Sequence, residues 1–250
     1  MLETAIEAAK RGGAVLEKYF EAATMVREEK SDTSFVTAAD KESEEVIVSL
    51  IRERFPDHGI VGEEGTSLNP DARYQWVIDP LDATRNFSNG IPVFAVSISL
   101  LEDNVPIVGV IHNPATRSLY AAERGKGFTL NGTSMRVSKE EARKGMATFA
   151  PGKDDKEQMF RYLVRGEEHF RSVRYLGCTA LDLAYIARGG TEAFVCVGLK
   201  KWDYAAGQLL VREAGGKITD FEGNECGLDQ NYFIASNGLA HQAALDLVAS

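Results

Sequence analysis

The 250-residue sequence has few cysteines and no long apolar run. Its three cysteines, Cys178, Cys196 and Cys226, are odd in number and far apart, so they form neither a disulfide framework nor a CxxC motif. A reducing compartment is the simpler expectation for such a chain. No stretch of about 18 apolar residues could span a membrane, and the first residues lack the apolar core of a signal peptide. We therefore predict a cytoplasmic protein with no membrane partner.

Positive charge is also scarce. Lys and Arg total 28 against 37 Asp and Glu, which gives a net charge of -9. Proteins that bind nucleic acid usually carry a basic excess that neutralises phosphates, so we do not expect nucleic acid as a partner. With 44% hydrophobic residues the chain can build a sizeable core. The acidic excess supplies carboxylates that could hold cations.

Several catalytic motifs are missing. There is no GxSxG, which disfavours a serine hydrolase, and no GxGxxG or Walker A motif for a nucleotide. The four histidines are dispersed and form no HExxH, which disfavours a zinc hydrolase. The chemistry must therefore be sought among the carboxylates.

Hydrophobic spacing predicts helices and strands in both halves of the chain. In the first half we predict helices at 2–20 and 40–55 and strands at 74–78, 93–101, 105–112, 118–122 and 127–130. In the second half we predict helices at 155–166, 180–188, 202–214 and 239–248 and strands at 173–176, 193–197, 218–220 and 232–235. The pattern indicates an α+β subdomain at 1–138 and an α/β subdomain at 139–250, packed as one unit.

The most informative segment is Trp76-Val-Ile-Asp-Pro-Leu-Asp-Ala-Thr84. An apolar strand ends in two aspartates, and the turn should bring Asp82 to the same side as Asp79. Thr84 then lies near the start of a short helix, whose free N–H groups favour an anion. Carboxylates beside such a helix start indicate that a cation and a phosphate are bound together.

Three other segments could contribute carboxylates. Glu63 and Glu64 lie between glycines after a short apolar run, Asp203 lies in the first turn of a helix, and Asp40 either caps the second helix or supports a catalytic hydroxyl. Each of these is common on its own: exposed Glu pairs and Asp residues at helix starts need no function.

Taken together, these motifs resemble the inositol monophosphatase family, whose relatives include fructose-1,6-bisphosphatases and 3'-phosphoadenosine-5'-phosphate phosphatases. The resemblance runs from Val36-Thr37 to Ala235-Ser236-Asn237-Gly238, and the motifs occur in the family's order. It implies an α+β fold, a layered α-β-α-β-α sandwich, and hydrolysis of phosphate monoesters with two or three Mg²⁺ ions. It also implies a homodimer and a small phosphorylated substrate.

The resemblance assigns roles to the matching residues. Those that match the metal ligands are Glu63, Asp79, Asp82, Asp203 and the backbone carbonyl of Leu81. Those that match the catalytic residues are Glu63 and Thr84, which orient the attacking water, and Asp40, which holds the threonine. Those that match the substrate-binding residues are Asp82, Ala83, Thr84, Thr179 and Asp203. Because all these ligands are oxygens, Mg²⁺ is the expected metal.

The sequence departs from the family at a few positions. Ala83 replaces the usual glycine, and we expect it to lie in ordinary helical space, where alanine costs nothing. Inositol phosphatases commonly carry a Glu that contacts the sugar ring, near the position of Cys196. Arg85, Lys200 and Lys201 either receive a second phosphate or are solvated surface residues.

The sequence thus predicts a Mg²⁺-dependent phosphomonoesterase acting on a small phosphorylated polyol, with inositol monophosphate first. Fructose 1,6-bisphosphate and 3'-phosphoadenosine 5'-phosphate are the alternative substrates. A haloacid-dehalogenase-type phosphatase is disfavoured, since it needs two aspartates separated by one residue. A non-catalytic binding module on the same fold stays open, although it would not require the metal carboxylates.

Overall fold

The computed structural model describes residues 1–25, 33–151 and 156–249. Residue 155, where the sequence predicts the start of a helix, lies outside them. The α-helices of the described residues are α1 (Leu2–Met25), α2 (Thr33–Arg54), α3 (Thr84–Ser88), α4 (Lys156–His169), α5 (Thr179–Ala187), α6 (Lys201–Glu213) and α7 (His241–Ala249). None of these helices is both long and apolar enough to cross a membrane.

The first half of the chain forms an eight-stranded sheet in the order β2-β1-β3-β4-β5-β6-β7-β8. Its strands are β1 (Gly59–Gly62), β2 (Ser67–Leu68), β3 (Tyr74–Asp82), β4 (Ala95–Glu102), β5 (Val105–Asn113), β6 (Ser118–Glu123), β7 (Gly127–Leu130) and β8 (Thr133–Ser134). The neighbours pair antiparallel except for β1 and β3, which run parallel. The parallel pair therefore places the carboxyl ends of β1 and β3 side by side.

The second half forms a five-stranded sheet in the order β10-β9-β11-β13-β12. Its strands are β9 (Met146–Pro151), β10 (Ser172–Arg174), β11 (Ala193–Val197), β12 (Lys217–Thr219) and β13 (Tyr232–Ser236). Strand β9 pairs parallel with β10 and β11, whereas β13 pairs antiparallel with β11 and β12.

Helices fill the space between the two sheets and cover both outer faces. Helices α1 and α2 pack on one face of the first sheet, where Ile47 and Ile51 meet Trp76 in one buried cluster. Helices α5 and α6 lie between the sheets, and α4 and α7 cover the far face of the second sheet. This is the α-β-α-β-α sandwich that the resemblance predicts, and the fold expectation is confirmed.

Small residues let α6 lie close to its neighbours. A Cβ atom on Gly207 would come within 2.5 Å of a Leu183 side-chain carbon, and one on Gly109 of β5 within 2.7 Å of the Ala206 carbonyl oxygen. Larger side chains at either position would push α6 away from α5 and from the first sheet. The start of α6 is therefore held in a fixed place relative to β3 and β4.

The structure corrects the predicted elements in several places, and the short strands β1, β2 and β8 are absent from the prediction. Helix α2 begins at Thr33, so Asp40 lies inside the helix and does not cap it. Strand β3 continues to Asp82 instead of ending at Ile78. Strand β9 is absent from the prediction, because its central residues are buried on both sides and show no alternation of polar and apolar side chains.

Candidate active site

The end of β3 is irregular, and this irregularity shapes the site. The register with β4 shifts between Asp79 and Asp82, and Pro80 between them has no N–H to donate to a ladder. The Leu81 N–H instead donates to Oδ1 of Asp79 at 3.0 Å, and Ser43 Oγ of α2 donates to the Pro80 carbonyl at 3.2 Å. Asp79 is thus buried and fixed by its own loop.

Ala83 turns the chain from β3 into α3 and has a left-handed backbone, with φ 76° and ψ 46°. The expectation of ordinary helical geometry at Ala83 is therefore wrong. The reason is that an irregular strand end meets a short helix here, and one residue must reverse the direction of the chain. This conformation costs an L-residue with a Cβ about 1–2 kcal/mol of conformational free energy, whereas glycine adopts it freely.

Glu63 lies directly after β1, next to the end of β3, and its N–H donates to the Ile78 carbonyl at 3.1 Å. The buried carboxylate of Glu44 on α2 supports the loop that follows. It accepts hydrogen bonds from the Glu64 N–H at 3.1 Å, the Thr66 N–H at 3.3 Å and the Thr66 hydroxyl at 2.5 Å. The sequence analysis missed Glu44, although its spacing three residues before the buried Ile47 places it on the inner face of α2.

Asp203 enters the site from the first turn of α6. Its Oδ2 accepts a hydrogen bond from the Lys200 N–H at 2.8 Å, which caps the helix. The neighbouring Trp202 carbonyl accepts one from Ser97 Oγ at 3.4 Å, and Ser97 pairs with Asp79 across β3 and β4. Asp203 is therefore brought to the end of β3 from 124 positions further along the chain than Asp79.

Three carboxylates meet at this point. Glu63, Asp79 and Asp203 each place an oxygen within 4.8 Å of the others. Burial first, and then the charges of Glu63, Asp82 and Asp203, raise the pKa of Asp79 well above its ordinary value. Burial and neighbouring carboxylates likewise raise the pKa of Asp203 to about 7.

A cation would relieve this repulsion. All the converging donors are carboxylate oxygens, and carboxylates are the side-chain ligands that hard divalent cations such as Mg²⁺ prefer. The residues present therefore fit a magnesium site, which Glu63, Asp79 and Asp203 would hold directly.

Asp82 lies beside this trio, with one of its oxygens turned toward α5. Oδ2 accepts hydrogen bonds from the Ala180 N–H at 2.6 Å and from Cys178 Sγ at 3.3 Å. Burial raises the pKa of Asp82 to about 6, although these two hydrogen bonds oppose the rise. A backbone hydrogen bond from Ala83 to this carboxylate opposes the rise as well.

The other predicted catalytic residues lie around the carboxylates. Thr84 is exposed at the start of α3, and its hydroxyl donates to the Leu81 carbonyl at 3.3 Å. Asp40 is buried on α2, where desolvation and then the charges of nearby glutamates raise its pKa to about 8. Among the described residues no hydrogen bond joins Asp40 to Thr84, so the support of the threonine by Asp40 stays a prediction.

The start of α5, where Thr179 is buried, lies beside Asp82 through the Ala180 N–H. Asn86 of α3 joins α3 to the loop before α5. Its Nδ2 donates to the Val93 carbonyl at 2.8 Å and to the Leu176 carbonyl at 2.9 Å. The sequence analysis missed Asn86, since nothing in a five-residue helix signals a contact with a loop 90 positions away.

A further carboxyl lies deeper in α5. Asp182 is fully buried, and among the described residues neither of its oxygens makes a hydrogen bond of good geometry. Burial raises the pKa of Asp182 well above its usual value, the nearby Thr148 hydroxyl opposes the rise, and the charge of Asp82 adds to it. Burial favours the neutral form of this carboxyl, because an ionised one would carry a large desolvation cost.

The positions that depart from the family differ in their surroundings. Cys196 is fully buried on β11, and its Sγ donates to the Asn231 carbonyl at 3.3 Å, so no charged group takes the place of the family's Glu. Lys201 Nζ donates to Gln75 Oε1 at 3.1 Å. Arg85 and Lys200 are exposed, and neither makes an ion pair among the described residues.

Comparisons with known proteins bear on the family and the fold. The sequence pattern of the inositol monophosphatase family matches residues 1–250. The Nus factor SuhB of Escherichia coli is 39% identical over 246 residues, which cover 96% of this chain and 90% of that protein. The solved inositol monophosphatase of Anabaena superposes with a TM-score of 0.89 at 35% identity, covering 99% of this chain and 94% of that one. The solved IMPase of Thermotoga maritima superposes with a TM-score of 0.87 at 34% identity, covering 99% of this chain and 96% of that one.

Proposed function

Because the chain belongs to the inositol monophosphatase family, we propose that it is a Mg²⁺-dependent phosphomonoesterase. The observation that carries the proposal is the convergence of Glu63, Asp79 and Asp203 within 4.8 Å at the ends of β1, β3 and α6. Phosphoryl transfer needs little covalent help from a protein and depends on positioning and on positive charge at the phosphate oxygens. A site made of carboxylates suits that chemistry only when it holds cations.

In this proposal the protein groups position the reactants. Glu63, Asp79, Asp82, Asp203 and the Leu81 carbonyl hold the ions, two or three in number. When bound, Mg²⁺ supplies positive charge at the phosphate and lowers the pKa of water. Glu63 and Thr84 orient the attacking water, and Asp40 holds the threonine.

The substrate is a small phosphorylated polyol bound between the start of α3 and the start of α5. The residues that contact it are Asp82, Ala83, Thr84, Thr179 and Asp203. Inositol monophosphate is the first candidate, supported by the names of the similar solved structures. Fructose 1,6-bisphosphate and 3'-phosphoadenosine 5'-phosphate are the alternatives. The exposed cations Arg85 and Lys200 either receive the second phosphate of such a substrate or are solvated surface residues.

The test is phosphate release from inositol 1-phosphate, fructose 1,6-bisphosphate, 3'-phosphoadenosine 5'-phosphate and histidinol phosphate, each with Mg²⁺ and with EDTA. We expect release from one substrate that EDTA abolishes. Asp203→Asn should abolish the same release, while Asp71→Asn, which changes an exposed carboxylate, should leave it unchanged. No release from any substrate, or release that persists in EDTA, would reject the proposal.

A non-catalytic binding role is the second candidate, and the names of the curated relatives favour it. Proteins 38–39% identical to this chain are named Nus factors. If this chain acts through binding alone, an Asp82→Asn variant that no longer releases phosphate would still fully support growth of cells that depend on the protein. Loss of growth with this variant would instead favour catalysis.

The proposed enzyme is a homodimer, as the family resemblance implies. Light scattering should give twice the mass of one chain. The mass of a single chain would reject this part of the proposal.

A further inference from the structure

Helix α5 is capped by a residue from the other half of the chain. Cys178 precedes the helix in an extended conformation, and its own side chain makes no capping hydrogen bond. The Ala180 N–H in the first turn donates to Oδ2 of Asp82, 98 positions earlier in the sequence, at 2.6 Å. A carboxylate that accepts a first-turn N–H performs the task of an N-cap, so Asp82 caps α5 from outside the helix.

Cys178 supplies a second donor to the same carboxylate. Its side chain is fully buried, and its Sγ lies 3.3 Å from Oδ2 of Asp82. At this distance the S–H of the thiol can donate to the carboxylate. The Asp82 backbone carbonyl is a more distant acceptor, 3.9 Å from Sγ.

Two donors on one oxygen restrict the rotation of the carboxylate. With Oδ2 held by these two donors, Oδ1 is the oxygen that we take to contact a cation, and the Ala83 backbone N–H also contacts this carboxylate. Groups that orient a metal ligand in this way affect metal affinity although they never touch the metal.

We propose that Cys178 is a positioning residue, which holds Oδ2 of Asp82 so that Oδ1 faces the cation. This inference rests on the proposed function, in that Asp82 is taken as a metal ligand. It gives the thiol a role in the affinity of the site for Mg²⁺ and none in contact with the substrate.

The test compares donor-free and donor-retaining variants at this position. Cys178→Ala and Cys178→Val remove the donor, and Cys178→Ser keeps one. Cys226→Ala is the matched control, because Cys226 is also buried but lies in the loop after β12. Binding of Mg²⁺ alone is measured by calorimetry without substrate, and thermal melts in EDTA verify that each variant is folded.

We expect about tenfold weaker Mg²⁺ binding in the two donor-free variants, as is typical when a group that orients a metal ligand is lost. Cys178→Ser should bind close to wild type, and Cys226→Ala should not differ from it. Equal affinity in a folded donor-free variant, or a serine variant as weak as the alanine one, would overturn the proposal.

Failure of the proposed function would look different. A wild-type protein that binds Mg²⁺ but releases no phosphate from any substrate would reject the reaction, and the comparison at Cys178 would still decide this inference. A wild-type protein that binds no Mg²⁺ would overturn both.

Discussion

Replacing Ala83 by glycine tests the turn that joins β3 to α3. Ala83 has φ 76° and ψ 46°, close to the centre of the left-handed region. The conformation costs a residue with a Cβ about 1–2 kcal/mol. Glycine removes this cost, but it also lowers stability by about 0.4–1 kcal/mol because the unfolded chain gains conformational freedom. We therefore expect Ala83→Gly to raise the free energy of unfolding by about 0.5–1 kcal/mol.

Calorimetry and urea unfolding can both detect this change. In chains of about this length, 1 kcal/mol shifts Tm by roughly 2–4 °C, so the variant should melt about 1–4 °C higher. The matched control is Ala14→Gly on the exposed side of α1, where the backbone is helical. That substitution should lower stability by about 1 kcal/mol, because glycine weakens a helix interior.

The reasoning would be refuted if Ala83→Gly were no more stable than wild type while Ala14→Gly lost stability as expected. The variant also tests the activity of the natural sequence. Since Ala83 already adopts the backbone that glycine would take, phosphate release should change by no more than a few fold. A rise in kcat by orders of magnitude would mean that alanine impairs the site.

Three further predictions concern buried carboxyls. Mg²⁺ should bind more tightly as pH rises from about 6 to 8, because the pKa of Asp82 is raised to about 6 and that of Asp203 to about 7, and a cation needs their ionised forms. Calorimetry in buffers of different protonation enthalpy should show protons released on binding, and a pH-independent affinity would contradict this. Glu44→Gln should cost about 2–3 kcal/mol in urea unfolding, because the loop after β1 loses a charged acceptor, whereas exposed Glu45→Gln should cost almost nothing. Because the pKa of Asp182 is raised, the folded wild-type protein keeps a proton on this carboxyl that its unfolded chain loses above about pH 4. The wild type should therefore lose stability as pH rises, and Asp182→Asn should gain stability relative to it. A stability difference that stays constant with pH would reject this last expectation.

Much of the candidate site follows from local sequence. An apolar run that ends in Asp79, Pro80 and Asp82 contains its own turn chemistry, and Asp203 lies in the first turn of an obvious helix. Such patterns involve neighbours in sequence, so they are visible without a structure. The bringing together of Asp203 and Asp79 is different: it depends on the packing of α6, and only the family resemblance anticipated it.

The misses have physical causes as well. The backbone conformation of Ala83 is set by β3 and α3 on either side of it. The direction that they impose on the chain outweighs the preference of alanine for right-handed helical geometry. Glu44 acts on a loop 20 positions away, a pairing that no local pattern records. Strand β9 consists of small and apolar residues buried between two neighbouring strands, so it lacks the alternation that marks a half-exposed strand.

The helix layer between the two sheets has a consequence for how the chain unfolds. Val77 and Ile111 of the first sheet share a buried cluster with Leu183 of α5, Leu210 of α6 and Phe194 of the second sheet. Apolar surface of the first sheet is therefore covered by residues that follow it in the chain, and a fragment ending at residue 138 would expose that surface to water. The two sheets should melt in one cooperative transition, and the carboxylate cluster should disappear in that same step.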